Sequence, residues 1–335
     1  MKSIALILCL APALDELKKT DVVCPIDGTR FTASEVVRTN ASQGWGGVDT
    51  DFCRHAYDSL PMEHYVWTCP SCYYSGNKSH FDPKSPPSAE FKKAVRGTLK
   101  PLLPIAAGAR QEQIPGWVKY DLFAQVDVLR GAPLLSVARR HLNAAWAARQ
   151  SGAVRLDDYD DFVDAVRAAG LDKKPLDLAK KNRSEEDLAA CRALEKEIAA
   201  GKYSGTPLQI RRYVLAVTYR RRGENMDALR WLAEADKSKG ENSVIDDASK
   251  TVRESIAVER AQQKKAAELY AKAVEDGAKE PLDQATKADC LYMLGEIARR
   301  NGEKESALAW YGKALAAATE EGLKKRIEAQ RALIK

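Results

Sequence analysis

The chain has 335 residues, enough for two or three modest domains with real cores. Its 53 Lys and Arg against 47 Asp and Glu leave a net charge of +6, too dilute for the dense basic stripe of a nucleic-acid binder. A solvated helical surface of mixed charge accounts for that balance, so no nucleic-acid partner is expected.

Lys2 is followed by an apolar run from Ile4 to Leu10 and then by Ala11-Pro12-Ala13. This has the charged start, apolar middle and small-residue end of a secretory leader, though it is shorter than the usual ~15–30 residues. The alternative is an amphipathic first helix continuing through Leu14 and Leu17. Residues 1–20 are therefore read as a signal peptide or leader helix, with an exported or periplasmic location favoured over a cytoplasmic one. The run is far short of the ~20 apolar residues that cross a bilayer, and no other segment reads as a membrane span.

Residues 21–82 read as a small β-rich module. Val22-Val23 leads into Cys24-Pro25-Ile26-Asp27-Gly28, and Glu35 to Thr39 alternates as a strand does. Gly44, Gly46 and Gly47 mark a loop around Trp45, ahead of Asp49-Thr50-Asp51-Phe52-Cys53-Arg54-His55. Tyr65-Val66-Trp67 then runs into Cys69-Pro70-Ser71-Cys72-Tyr73. A module this short buries little apolar surface and needs a staple.

Residues 83–116 are broken by prolines and glycines and read as a linker holding one short helix, Glu90 to Leu99. Residues 117–183 form a helical connector, with periodic segments at Val118–Arg130, Leu134–Gln150 and Asp157–Ala169 before a charged stretch broken by Pro175. Ser184-Glu185-Glu186-Asp187 resembles a capping box and opens a helix to Ala200.

The segment 184–335 contains a repeat. Gly223, Ala228-Leu229, Trp231 and Ala235 recur at the same offsets as Gly302, Ala307-Leu308, Trp310 and Ala314. Small residues that let paired helices approach, with large ones between, resemble the tetratricopeptide repeat. Val252, Ile256, Ala266, Leu269, Tyr270, Ala273 and Val274 fit a degenerate third copy that lacks the glycine. The expected fold is mainly α: a stack of about three tetratricopeptide-like hairpins behind a zinc-ribbon-like β module. Such stacks bind peptides or proteins. The basic group Arg211, Arg212, Arg220, Arg221 and Arg222 is the candidate surface for an acidic peptide.

Of seven cysteines, Cys191 and Cys290 lie singly on helical patterns and read as small buried residues. Cys24, Cys53, Cys69 and Cys72 carry the chemistry. Structural zinc takes four ligands in a tetrahedron, in pairs two to four residues apart. Cys69 and Cys72 make one intact knuckle, with Tyr73 where a turn glycine is expected. The other keeps Cys24, Pro25 and Gly28 but has Asp27 where the second sulfur belongs. Asp27 can ligate through oxygen, Cys53 or His55 can take the fourth place, or Asp27-Gly28 is only a hairpin turn and the thiols are free or disulfide-bonded. His80 is a further candidate close to Cys72. A bound zinc would be structural, stabilising the fold on the order of 10 kcal/mol. The rival is a thiol-disulfide redox protein using Cys69 and Cys72. Their motif after a strand resembles a glutaredoxin-type site, where a helix N-terminus lowers the thiol pKa. Such folds need a βαβ unit, and residues 83–116 read as broken linker instead.

Cys24-Pro25-x-x-Gly28, Asp49-x-Asp51-Phe52-Cys53, Pro61, Tyr65 and Cys69-Pro70-x-Cys72-Tyr73 together resemble a bacterial family called domain of unknown function 2225. Ala145-Trp146 with Arg149 extends the resemblance. It implies a zinc-ribbon-like head joined to tetratricopeptide-like helices, with paired Cys-x-x-Cys knuckles from which Asp27 departs, and it implies no activity. With no phosphate loop and no Ser/His/Asp constellation, the expected function is a noncatalytic protein- or peptide-binding scaffold with a structural metal.

Overall fold

The computed structural model describes residues 16–39, 48–55, 60–84, 86–152, 185–238, 243–275 and 281–334. The core of the expected leader, the glycine loop around Trp45, the helix at Asp157–Ala169, the stretch around Pro175 and the cap at Ser184 lie outside these residues.

The head is two small antiparallel hairpins. β1 (Glu16–Val23) pairs with β2 (Arg30–Arg38), placing Val22 opposite Phe31 and Thr20 opposite Ala33. β1 begins at Glu16, so Leu17 lies in a strand and not on the expected leader helix; its β-branched continuation Thr20-Asp21-Val22-Val23 pairs along β2. β3 (Trp67–Thr68) pairs with β4 (Ser75–Gly76). The Trp67 indole N–H donates to the Ser34 carbonyl at 3.0 Å and links the two hairpins. Gln111 supplies a side-chain substitute for a missing strand: its amide accepts from Thr68 N at 3.0 Å and donates to Thr68 O at 2.7 Å.

After the one-turn α1 (Lys78–Phe81), α2 (Ala89–Thr98) starts where Ser88 accepts from Phe91 N at 3.1 Å. The expected linker is not detached from the head. Val95, Leu99 and Ile114 are buried in one core with Val22, Ile26, Val66 and Trp67, and Arg96 donates to the Ile26 carbonyl at 2.7 Å. The same core takes in Val118, Leu122 and Val126 of α3 (Gly116–Leu129) and Ala144 and Ala147 of α4 (Leu134–Gly152).

Beyond them come α5 (Glu185–Ala199), α6 (Gly205–Arg221), α7 (Asn225–Lys237), α8 (Ser243–Glu275), α9 (Gln284–Arg300), α10 (Lys304–Ala317) and α11 (Glu321–Ala332). The two clear repeat copies fold alike, as the hairpins α6–α7 and α9–α10. In each, a glycine at positive φ ends the first helix (Gly223 at 70°, Gly302 at 79°). The next amide then reaches back to close the turn, Glu224 N to Tyr219 O at 3.0 Å and Glu303 N to Ala298 O at 2.9 Å. The third copy is not a hairpin. Residues 243–275 form one uninterrupted helix of 33 residues, about 50 Å long, because Ala257 to Lys265 offers no glycine or proline to turn on. Its first half packs Val252 and Ile256 against α6 and α7. Its second half packs Ala266 and Tyr270 against α4 and α9. α8 is thus the bridge between the two hairpins.

In the helical part, Gly295 and Gly223 are required by close approach. A Cβ at Gly295 would lie 2.5 Å from the Tyr311 ring, where α9 crosses α10. Gly295→Ala is expected to destabilise by about 1–3 kcal/mol in urea denaturation, the cost of overpacking outweighing the better helix former. At Gly223 a Cβ would lie 2.0 Å from Arg300 Nη1 and 2.7 Å from Arg149 Cζ, with positive φ adding strain. Gly223→Ala is expected to cost at least about 2 kcal/mol by the same measurement.

Candidate metal centre

The two knuckle turns of the head are built alike. Cys24 N donates to Thr29 O and Gly28 N to Cys24 O, both at 2.9 Å; Cys69 N donates to Tyr74 O at 2.9 Å and Tyr73 N to Cys69 O at 3.0 Å. Gly28 has φ of 79° and Tyr73 φ of 63°, so tyrosine takes the left-handed place that glycine fills in the other turn. This equivalence puts Asp27 in the structural position of Cys72. Cys24, Asp27, Cys69 and Cys72 each offer one ligand atom, all within 4.8 Å of one another. Cys24 Sγ and Cys72 Sγ are 3.5 Å apart, and Cys69 Sγ lies 3.6 and 3.7 Å from the two Asp27 oxygens. Sulfurs on a tetrahedral zinc with bonds of about 2.3 Å sit roughly 3.8 Å apart, so the donors need little movement to close on an ion.

The electrostatics point the same way. Cys69 is held down to about 4 by hydrogen bonds from Cys24 and Cys72. Cys24 is pushed up to about 12 by its bond to Cys69, and Cys72 is pushed well up by its bonds to both. Burial works against the Asp27 carboxylate, yet the Thr29 amide and Ser71 hold it at about 2. The hydrogen bonds thus favour a thiolate at Cys69 beside the Asp27 carboxylate, and among the described residues no lysine or arginine forms an ion pair with either. A divalent ion would neutralise them and release the two remaining thiol protons.

Neither Cys53 nor His55 completes this centre. The hairpin carrying them is drawn away to α4, where they cluster with Asp49. His80 is also elsewhere: it hydrogen-bonds Asn77 Oδ1 at 2.5 Å and packs edge-on to Phe123, and burial lowers it to about 4. Local structure weighs against the redox reading. Cys69-Pro70-Ser71-Cys72 leads into β4, and among the described residues no helix begins at the motif.

The arginine group does not form one surface. Arg211 stacks on Tyr203, its Cζ 3.7 Å from the ring centre. Arg212 donates to Glu234 O at 2.7 Å and Ser238 Oγ at 2.6 Å. Arg221 and Arg222 are half-buried, and the Arg222 carbonyl accepts from Arg300 at 2.9 Å. Arg220 is fully buried and ion-pairs with Glu259, so it cannot receive a peptide.

That last pair belongs to an internal charge network which the repeat pattern did not reveal. Arg149 of α4, 0% exposed, reaches Asp49 at 2.8 Å, Asp51 at 2.6 Å and Glu259 of α8 at 2.6 Å. Arg300 of α9 pairs with Glu296 at 3.2 Å and donates to Thr50 Oγ1 at 2.7 Å, and the Tyr292 hydroxyl donates to Thr50 O at 2.7 Å. The sequence signal was an Asp-x-Asp turn together with charged residues inside apolar helical faces. The 48–55 hairpin is thereby locked between α4, α8 and α9. Burial raises the Glu259 carboxyl, but Arg149 and Arg220 outweigh it and hold the group below 4.5. A depressed carboxylate contributes stability above its unfolded pKa and loses it as pH falls. Urea midpoints should therefore decline below about pH 4.5; midpoints unchanged down to pH 3 would contradict the network's role.

The fold and site define a mainly helical protein whose small β head carries a cluster of cysteines fit for a metal. The chain belongs to the family described as uncharacterized proteins conserved in bacteria, domain of unknown function 2225, whose model matches residues 17–258 and 253–334. No curated protein and no solved structure matches it.

Proposed function

We propose that this chain is a noncatalytic scaffold for a protein or peptide ligand, with a structural zinc at Cys24, Asp27, Cys69 and Cys72. The matched knuckle turns carry the metal reading: two unrelated loops would not place four donors around one point with the same hydrogen-bond pattern. The α6–α7 and α9–α10 hairpins support the scaffold reading, since their glycine-ended turns and small residues at the helix crossings resemble those of tetratricopeptide-like units. The basic group gives way to another candidate docking place, a cavity of about 450 Å³ between α8, α9 and α10 lined by Val274, Leu291, Trp310, Lys287 and Lys313. Lys313 Nζ sits 4.2 Å from the centre of the Trp310 ring, so an apolar peptide with acidic flanks fits best. No described helix is long and apolar enough to cross a membrane. Export is a separate proposal resting on the leader read at residues 1–20, and N-terminal sequencing of the mature protein tests it.

Elemental analysis with thiol titration tests the metal. Bound zinc with protected thiols that become reactive on chelation is the expected result; a metal-free chain with a reducible Cys69–Cys72 disulfide would return the redox reading. Charge reversal of Lys287 and Lys313 is expected to abolish ligand capture, while Arg221→Glu leaves it intact.

A further inference from the structure

The hairpin Val48 to His55 holds a second set of metal-binding side chains. Val48 bridges Arg54, Asp49 N donates to Cys53 O at 2.8 Å, and Phe52 N donates to Asp49 O at 2.9 Å. This closes a three-residue loop whose last member, Phe52, has φ of 65°. Phe52 is a poor residue for that conformation, and it is held there by its ring packing against Tyr292 and under Arg326. The consequence is that Asp49 stands opposite Cys53, with His55 two residues further along the same face. Their donor atoms lie within 4.8 Å of one another, and the residues are 8%, 0% and 4% exposed.

We propose that Asp49, Cys53 and His55 bind a second divalent ion of the zinc class, separate from the centre in the head. The donor chemistry supports this. Asp49 Oδ2 faces His55 Nε2 at 2.9 Å and accepts from Arg149 Nη1 at 2.8 Å, so the carboxylate is held at the cluster. With a Cys53 thiolate it offers two negative charges to a divalent ion, and a neutral His55 completes a sulfur, nitrogen and oxygen set that suits zinc. Arg149, 2.8 Å from Asp49 Oδ2, is then an outer-sphere donor orienting the ligand.

A second observation comes from α4. Gln150 of α4 is 6% exposed and is aimed into the cluster, its Nε2 lying 3.5 Å from Cys53 Sγ and 3.4 Å from His55 Nδ1. Nε2 donates to Arg54 O at 2.9 Å, which fixes the amide, and Oε1 is left buried with no donor. A water held on the ion's fourth position would supply the missing proton. A nucleophilic Cys53–His55 pair is disfavoured by the same burial, since a reactive thiol needs access. The remaining alternative is a protonated His55 pairing with Asp49 at 2.9 Å and no metal at all.

Metal analysis of the full chain after zinc loading and removal of excess distinguishes these. Wild type should hold about two ions per chain, Cys53→Ala and His55→Asn about one each, and Cys69→Ala, which removes a head ligand, about one. Cobalt-loaded Cys69→Ala should show the d–d bands of a tetrahedral site with charge transfer from a single thiolate. One ion in wild type that is unaffected by Cys53→Ala and lost in Cys69→Ala would overturn the second site and leave the head centre standing. One ion with the reverse pattern would support it and remove the head centre. Should a variant fail to fold, the cobalt titration of wild type decides: two resolved binding steps support the proposal and a single step overturns it.

Discussion

Replacing Arg149 by methionine should destabilise the folded chain by about 3–5 kcal/mol, read as a shift of the urea midpoint at neutral pH. Methionine matches the length of the apolar stem but strands Asp49, Asp51 and Glu259 in a region where Arg149 itself is 0% exposed. The loss comes from leaving carboxylates buried without their cation, not from any large net gain of the intact network. Removing all partners together would cost far less than removing one. Arg149→Lys should recover only part of the loss. A single ammonium cannot reproduce donors at Nε, Nη1 and Nη2 that serve three carboxylates in fixed directions. A change below about 1 kcal/mol for Arg149→Met would mean that the hairpin is held by its apolar contacts alone.

The second large effect concerns the head. Chelation of the metal, or Asp27→Ala, should unfold the knuckles, because a structural zinc contributes on the order of 10 kcal/mol to domains of this size. Little else there could compensate. The β3–β4 pairing is only two residues per strand, and the apolar core of the head is shared with α2 and α3. Loss of the ion should therefore expose the head while α6 to α10 keep their own cores, giving a partial transition by circular dichroism. Asp27→Cys should act in the opposite direction. It restores a fourth sulfur at a position equivalent to Cys72 and should raise zinc affinity without disturbing the turn, which Gly28 sets. Equal stability of the wild type with and without chelator would show that the turn folds without the ion.

Much of this was legible in the residues, and the failures have physical causes. Glycine and alanine spacing located both helical hairpins, because a tight helix end and a close crossing each admit few residue types. The expected third hairpin did not form: the middle copy lacks the glycine that turns the other two, and α8 runs straight through. Cys24, Asp27, Cys69 and Cys72 were found from spacing because the knuckle is a local structure. Cys53 and His55 could not be placed that way, since long-range pairing of Asp49 and Asp51 with Arg149 decides where their hairpin docks. Arg220 was misread as surface for a related reason. Its neighbours in sequence are basic and half-buried, but its partner Glu259 lies on another helix, and only the fold shows them meeting.

Zinc X-ray absorption on the Cys53→Ala chain, which retains the head ligands alone, measures the ligand set directly. Three sulfurs at about 2.3 Å and one oxygen at about 2.0 Å are expected, from Cys24, Cys69, Cys72 and Asp27. A shell with fewer than three sulfurs, or a chain that takes up no zinc while folded, would contradict the head centre.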